Sequence, residues 1–425
     1  MLFTSNLKEL SFLVYGLGLS GQSVIKFFKK KNIKNYKVWD DKQKKLFKNK
    51  RTKNIKETLN NVDYIVLSPG ISLIEKNFLV NFEKKIITDI DFLYLTNKNF
   101  KSIVVTGTNG KSTTCKLISH LLKRNKFKVL LGGNIGTPIL DLKITKNSYV
   151  VIEASSFQLS HSKFIHPDYA FLLNITNDHL DWHGNMQNYM NSKLKIFMLQ
   201  KRKQFALVNN KLKNIFKKKN FASKLIIPEE KKYRKIKHKI KNHYLKSNIN
   251  NENMSFIYAF SKLLGITERH FITAINSFVG LSHRYETFLK KKNIVFINDS
   301  KATSFESAKN AISNSKNVYW ILGGLPKKDD KILLSEVKKN IIKCYLVGKN
   351  MNFFQKQIQN KINFSIAGNL KKALMQILKD IKLSNIKNNT ILLSPAAASY
   401  DQFTNFEKRG DEFKKLSKLY ARKFL

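Results

Sequence analysis

Short apolar runs alternate with amphipathic stretches along the first hundred residues. Residues 11–15, 36–39 and 64–67 are runs of the length and composition of strands, and residues 22–30 carry apolar positions at helical spacing. Strand, helix and strand in that order predict βαβ units and a parallel sheet. The polar stretch 96–101 reads as a linker. A second series follows, with strands at 102–106, 149–153, 169–173 and 205–208 and a helix at 111–124. A third begins near Asn293, with strands at 294–298, 318–322, 345–347 and 390–393. Its helices fall at 305–313, about 370–379 and 405–418. The pattern predicts an α/β protein of three consecutive domains, 1–97, 98–281 and 282–425.

Composition changes this picture little. The 425 residues carry a formal charge of +49, with 42% hydrophobic and 12% aromatic residues, enough apolar material for real cores. Such a charge ordinarily points to nucleic acid. Here 70 of the 78 basic residues are Lys and eight are Arg, spread over the whole chain. Lys, Asn, Ile, Phe and Tyr are abundant while Ala, Gly, Pro and Arg are scarce, the signature of an A/T-rich coding sequence. The densest basic run, 231–246, contains Tyr233 and Tyr244 but reads as a solvated loop or hairpin face, so no specific nucleic-acid partner is expected. Cys115 and Cys344 cannot build a disulfide framework. No apolar run approaches the roughly 18–20 residues of a membrane span. A cytoplasmic protein without a membrane partner is the expectation.

The chemistry is concentrated in a few turns. Gly107, Thr108, Asn109, Gly110, Lys111, Ser112 and Thr113 lie between a predicted strand and a predicted helix. Backbone N–H groups in such a loop face phosphate oxygens, Lys111 reaches the β/γ-phosphates, and the Ser112 hydroxyl can ligate Mg²⁺. The generic pattern has glycine where this chain has Val105, so the loop is a shortened variant of a P-loop. Gly16, Gly18 and Gly21 also follow a strand, with Asp40 at the end of the next one, as in a Rossmann-like fingerprint for a diphosphate and its ribose. Glu153 ends a strand where its carboxylate could face the Mg²⁺ of the P-loop. Asp178, His179, Asp181 and His183 follow another strand, and Asp181 and His183 read as turn and cap residues rather than ligands. Asp299 and Lys301 open the third domain in a further strand, turn and helix start, a second set of anion-binding groups.

Taken together these segments resemble the Mur ligases, ATP-dependent amide-forming enzymes of peptidoglycan precursor synthesis. The likeness is carried by 107–113, 153–159, 174–184, 281–286, 298–303 and 393–413, in the family's order and across nearly the whole chain. The last block resembles the D-glutamate-adding branch. The resemblance implies an N-terminal Rossmann-like domain for a UDP-sugar substrate, a central P-loop ATPase-like domain, and a C-terminal Rossmann-like domain for the amino acid. It implies UDP-substrate contacts at Leu19, Ser20, Asp41, Lys42, Asn134 and Ser155. ATP contacts would be residues 107–113 with Asn250, Asn253, Arg284, Asp299, Lys301, Thr303 and Lys327. Mg²⁺, as two ions, would be held by Ser112, Glu153, His179 and a carbamylated Lys193. D-Glutamate would be held by Ser399 and Phe406, and the catalytic groups are Lys111, His179 and Lys193. The substrates implied are UDP-N-acetylmuramoyl-L-alanine, D-glutamate and ATP, acted on by a monomer.

The chain departs from that pattern at Ile249, where the family has His, and at Ser304, where it has Asn. Asp41 stands where a neutral hydroxyl residue is common. It would repel a diphosphate unless Lys42 offsets it.

Overall fold

The computed structural model describes residues 6–97, 99–246, 250–327 and 330–425, so Ile249 lies outside the described residues. The chain forms two compact units, Met1–Phe278 and Val279–Leu425, the first with two sheets and the second with one.

The first sheet comprises β1 (Phe12–Tyr15), β2 (Tyr36–Trp39), β3 (Tyr64–Leu67) and β4 (Ile86–Ile87), ordered 2-1-3-4 and parallel throughout. All four residues of β1 are buried. Phe12 and Val14 pack with Val24, Ile25 and Phe28 of the helix Leu19–Lys30, while Leu13 and Tyr15 pack on the other face with Leu59, Val62 and Leu79. Burial on both faces is why this strand reads as an unbroken apolar run. At the turn into the helix, a Cβ on Gly21 would lie 1.9 Å from the Gly16 carbonyl oxygen, so glycine is what lets helix and strand approach.

The second sheet adds β5 (Phe100–Thr106), β6 (Val129–Gly133), β7 (Ser148–Glu153), β8 (Tyr169–Leu172), β9 (Phe205–Val208) and β10 (Lys224–Ile226), ordered 10-9-8-5-7-6 and again parallel. The chain leaves β5 toward one edge and returns from β7 to build the other, so the C-terminal end of β5 is a topological switch point. Ligand crevices of open parallel sheets form at such points. The two sheets of this unit are tied by a buried seam: Asp91 Oδ1 accepts the N–H groups of Lys163 and Phe164, both at 2.8 Å, and the Thr88 and Ser162 hydroxyls are 2.8 Å apart.

The second unit holds β11 (Glu286–Lys291), β12 (Ile294–Asn298), β13 (Val318–Gly323), β14 (Ile341–Val347), β15 (Phe364–Gly368) and β16 (Asn389–Leu393), ordered 11-12-16-13-14-15. All pairings are parallel except β11 with β12. Trp320 and Leu322 face one core layer and Tyr319 and Ile321 the other, the period of two expected of a covered strand.

Every predicted strand is present, whereas β4, β6, β10, β11 and β15 were not anticipated. Physical reasons are visible in each: β4 has two residues, β6 ends in two glycines, and β10, β11 and β15 are edge strands with half-exposed positions. The basic run forms helical turns, Glu230–Arg234 and Lys237–Lys239, rather than a hairpin.

Candidate active site

The P-loop joins β5 to the helix Lys111–Arg124 at the switch point. Gly110, the residue before the helix, has φ +84°, and a Cβ there would meet Asn253 Oδ1 at 2.4 Å. Glycine therefore answers two constraints at once. Asn174, after β8, holds the loop from the side: its carbonyl accepts Thr108 N–H at 3.0 Å and its Oδ1 accepts Asn109 N–H at 2.8 Å. Its Nδ2 donates to Glu252 Oε1 at 3.0 Å, tying the loop to the helix Asn251–Leu263. Lys111 curls back over its own loop, donating to Gly107 O at 2.8 Å and Thr108 O at 2.7 Å. Ser112 and Thr113 are buried at the start of the helix. Asn250 and Asn253 are buried beside it, with Asn253 against Gly110.

Lys193 reaches this loop from the helix Met186–Met198. It is 1% exposed, donates to Gly107 O at 2.9 Å and stands 4.5 Å from the centroid of the Tyr189 ring. Burial, reinforced by the Lys111 ammonium and opposed by Asp178, holds its amine well below the ordinary lysine range. Tyr189 in turn shares a 3.0 Å hydroxyl contact with Thr108. His179 has left-handed backbone, φ 54°, its Nε2 is 3.3 Å from Asp178 Oδ2, and its ring meets Phe157 edge-on at 4.7 Å. Asp181 is exposed and His183 is buried with Nε2 2.9 Å from Ser156 Oγ; both lie within the short helix Leu180–His183, whose caps are His179 and Gly184, rather than serving as turn and cap residues.

Glu153 ends β7 in register with Val105 of β5 and Gly133 of β6, which places it beside the root of the P-loop. Its Oε1 accepts from Asn134 Nδ2 at 3.1 Å, while Oε2 is buried without a hydrogen-bond partner. A buried carboxylate oxygen left unpaired is costly unless a cation completes it, so Glu153 fits as an oxygen donor to a Mg²⁺ beside the root of the P-loop. Among the described residues no group of three or more His, Cys, Asp and Glu side chains gathers as a protein cage. Ser155 follows Glu153 as the N-cap of the helix Ser156–His161, in a capping box with Gln158.

The first sheet presents Leu19, 80% exposed, and Ser20 in the opening turn of the helix Leu19–Lys30. The acids after β2 are both engaged. Asp40 accepts backbone N–H groups from Leu17, Lys42 and Gln43, at 2.6, 2.9 and 2.7 Å, and so braces the glycine turn. Asp41 is neutralised by Lys76 at 3.0 Å, not by Lys42, with further hydrogen bonds from Trp39 Nε1 and the Tyr15 hydroxyl. Burial alone would raise its pKa; these contacts outweigh it and hold the carboxyl below the usual range. Lys42 is exposed.

In the second unit, Lys301 Nζ sits 3.8 Å from the centroid of the Phe406 ring, bringing an ATP candidate and a D-glutamate candidate together. Asp299 accepts from Ser394 Oγ at 2.7 Å and Tyr285 N–H at 3.0 Å; burial pushes its carboxyl up to about 7. Leu325 and Ala398 exchange backbone hydrogen bonds of 2.8 and 2.9 Å, setting the loop that leads to Lys327 beside the one that carries Ser399. Ser399 is buried and Lys327 exposed. Arg284 and Thr303 are half-buried on the loops that flank Asp299.

Sequence reasoning missed Arg409. It is 3% exposed and donates to Ser300 Oγ, Ser300 O and Ala397 O at 3.0, 2.8 and 2.9 Å, binding together the loops that carry Lys301 and Ser399. Asn174, Gln158 and Lys76 were missed as well; Arg409 had a signal, as one of eight arginines in a lysine-rich chain. The basic run offers no stacking platform at Tyr233, which is fully buried, and the Tyr244 side chain lies outside the described residues.

A glycine loop at the switch point of a parallel sheet, with a lysine over it and a carboxylate beside it, defines a P-loop nucleotide-binding protein. Comparison with known proteins narrows that class. Residues 105–268 match the Mur ligase middle domain and residues 10–87 the Mur ligase MurD-like N-terminal domain. A UDP-N-acetylmuramoylalanine–D-glutamate ligase of Rickettsia felis is 36% identical, over 96% of this chain and 97% of that protein. Its counterpart in Rickettsia prowazekii is also 36% identical, over 95% and 97%. In fold, the chain is similar to the MurF ligase of Thermotoga maritima solved in complex with ADP, with a TM-score of 0.58 at 16% identity over 98% and 97% of the two chains. The chain belongs to the Mur ligase family, in its MurD-type branch.

Proposed function

We propose that this ligase joins D-glutamate to UDP-N-acetylmuramoyl-L-alanine through an acyl phosphate, converting ATP to ADP and phosphate. The observation that supports it most is the buried Lys193 amine on the Gly107 carbonyl, inside the P-loop rather than on the surface. The carboxylate of the L-alanyl end attacks the γ-phosphorus, forming the acyl phosphate as ADP leaves. The D-glutamate amine then attacks the acyl carbon, the amide bond forms, and phosphate departs with the C–O electron pair.

Phosphoryl transfer requires positioning and charge neutralisation more than covalent help. Lys111 is held in the mouth of the loop by two carbonyls, and phosphate oxygens would take their place as its partners. Ser112 and Glu153 would hold one Mg²⁺, and His179 with carbamylated Lys193 a second. Bound Mg²⁺ neutralises charge on the phosphoryl group and the attacking carboxylate. A lysine amine whose neutral form burial favours can attack CO₂, forming an N-carboxylate and releasing one proton. The product keeps one N–H, sufficient for the bond to Gly107 O.

Asn134, bonded to Glu153, and Ser155, two residues beyond it, would meet the muramoyl end of the substrate. Leu19, Ser20, Asp41 and Lys42 would meet its UDP end. Asn250, Asn253, Arg284, Asp299, Lys301, Thr303 and Lys327 would hold ATP, and Ser399 and Phe406 the D-glutamate. No helix among the described residues is long and apolar enough to cross a membrane. We place the reaction in the cytoplasm and take a monomer as the working form.

Substrate labelled with ¹⁸O in the L-alanyl carboxylate tests the route. One label should appear in the released phosphate; unlabelled phosphate would rule out the acyl phosphate.

A further inference from the structure

Arg284 lies in a tight turn closed by its own N–H on the Leu281 carbonyl, 3.3 Å away. The residues on either side of it both have left-handed backbone, His283 with φ 62° and Tyr285 with φ 46°. That conformation is costly for a side chain as bulky as tyrosine, and it persists where the surroundings over-determine it, most often at functional sites. Here two carboxylates pin it. Glu286 Oε2 accepts the His283 N–H at 2.9 Å, and Asp299 Oδ1 accepts the Tyr285 N–H at 3.0 Å. The turn is tied further by the His283 carbonyl, which accepts the Lys301 N–H at 3.0 Å, and by the Tyr285 hydroxyl, which donates to Asn314 O at 2.8 Å.

The sheet brings Glu286 to this place. It opens β11, and the antiparallel register sets it opposite Asn298, the last residue of β12. Asn298 Nδ2 donates to His283 Nδ1 at 2.9 Å and to Glu286 Oε2 at 3.2 Å, so one amide fixes the imidazole and the acid together. A Cβ on Gly410 would lie 2.2 Å from His283 Nδ1, so the helix Phe406–Phe424 passes the ring at a glycine. From the same helix Lys414 Nζ reaches Glu286 Oε1 at 2.9 Å. Burial alone would raise the pKa of Glu286; the His283 N–H and Lys414 outweigh it and hold the carboxyl below the usual range. Glu286 is therefore an ionised acceptor at neutral pH.

We propose that Glu286 is a positioning residue for ATP: by holding His283 in its left-handed conformation, it fixes the turn from which Arg284 reaches a phosphate. The proposal rests on the assignment of Arg284 to ATP made above. Glu286 acts through an oxygen placed on the His283 N–H rather than through its charge.

Phosphate-release kinetics of the full-length protein test this, with ATP varied at saturating UDP-N-acetylmuramoyl-L-alanine and D-glutamate. Glu286→Asp keeps the charge but withdraws the carboxylate by one methylene from the His283 N–H. It should lower kcat/KM for ATP about tenfold or more, with KM for the UDP substrate changed less than about twofold. Glu286→Gln removes the charge but keeps one oxygen, which can stay on the His283 N–H while its NH2 turns toward Lys414. That variant should remain within about threefold of wild type in kcat/KM for ATP. In an Arg284→Ala background, Glu286→Asp should cost less than about threefold more, because the group it positions is gone. Gln losing more than Asp would make charge the operative property and overturns the proposal. So does an Asp loss that multiplies in full onto that of Arg284→Ala, as general structural damage would, and so do Asp kinetics equal to wild type. Should Glu286→Asp fail to fold, Glu286→Gln still decides: a loss of about tenfold or more in that variant overturns the proposal. Arg284→Ala with undiminished kcat/KM for ATP overturns the ATP assignment itself, and the proposal with it.

Discussion

Lys193 Nζ lies 2.9 Å from the Gly107 carbonyl oxygen, so an amine from the helix Met186–Met198 is built into the P-loop itself. Lys111 donates to the same carbonyl at 2.8 Å. Two lysines on one acceptor, one of them fully buried, make a site in which an N-carboxylate on Lys193 would be attracted by the Lys111 ammonium. Lys193→Ala should lower turnover about 10²- to 10³-fold. Short carboxylates added to the variant should restore part of it, and phosphate-release assays read both. Full activity in the variant would remove the carbamate from the account.

Glu153 Oε2 is the buried oxygen that a cation would complete. Glu153→Gln keeps the size and the Asn134 contact but removes the charge. The Mg²⁺ concentration for half-maximal activity should rise about tenfold or more, with KM for D-glutamate little changed. An unaltered Mg²⁺ titration would make Glu153 a structural partner of Asn134.

Asp299 governs part of the pH dependence of stability. Its folded pKa, about 7, lies above the ordinary carboxyl value of 3.8. The unfolded chain therefore loses this proton first as pH rises, and the folded state is disfavoured progressively between pH 4 and 7. The contribution is full below pH 4 and gone above pH 7, on the order of 4 kcal/mol. Thermal unfolding from pH 4.5 to 8 should show a midpoint that falls with pH, less steeply in Asp299→Asn. Identical slopes would place the titration elsewhere.

Arg409 fastens Ser300 to Ala397 through three hydrogen bonds. Arg409→Lys cannot span both loops with one ammonium. It should cost about 2–3 kcal/mol in unfolding free energy and raise KM for D-glutamate, since Ser300 precedes Lys301 and Ala397 lies two residues from Ser399. A denaturation curve and a KM series with D-glutamate check the two halves separately.

The sequence showed the parts of the site that are local. The run from Gly107 to Thr113 has its chemistry in consecutive residues, and its strand and helix are set by unbroken apolar patterns. Pairings between distant residues were not readable. Asp41 looked as if it needed Lys42, its neighbour, but the charge is met by Lys76, 35 positions away. Asp40 matched a ribose-binding acid by spacing, yet its oxygens are occupied by the turn it braces. Arg409 sits in an amphipathic helix, and its being one of eight arginines in a lysine-rich chain marks it out without showing that it points into two loops. Edge strands such as β11 and β15 were hidden because half-exposed positions blur the alternation on which strand reading depends.

Phosphate release from ATP tests the central claim most directly, measured with UDP-N-acetylmuramoyl-L-alanine present and each amino acid supplied in turn. Release should require both the UDP substrate and D-glutamate, with L-glutamate, L-alanine, L-lysine and diaminopimelate near background. Release just as fast without either substrate, or equally fast with another amino acid, would contradict the D-glutamate ligase.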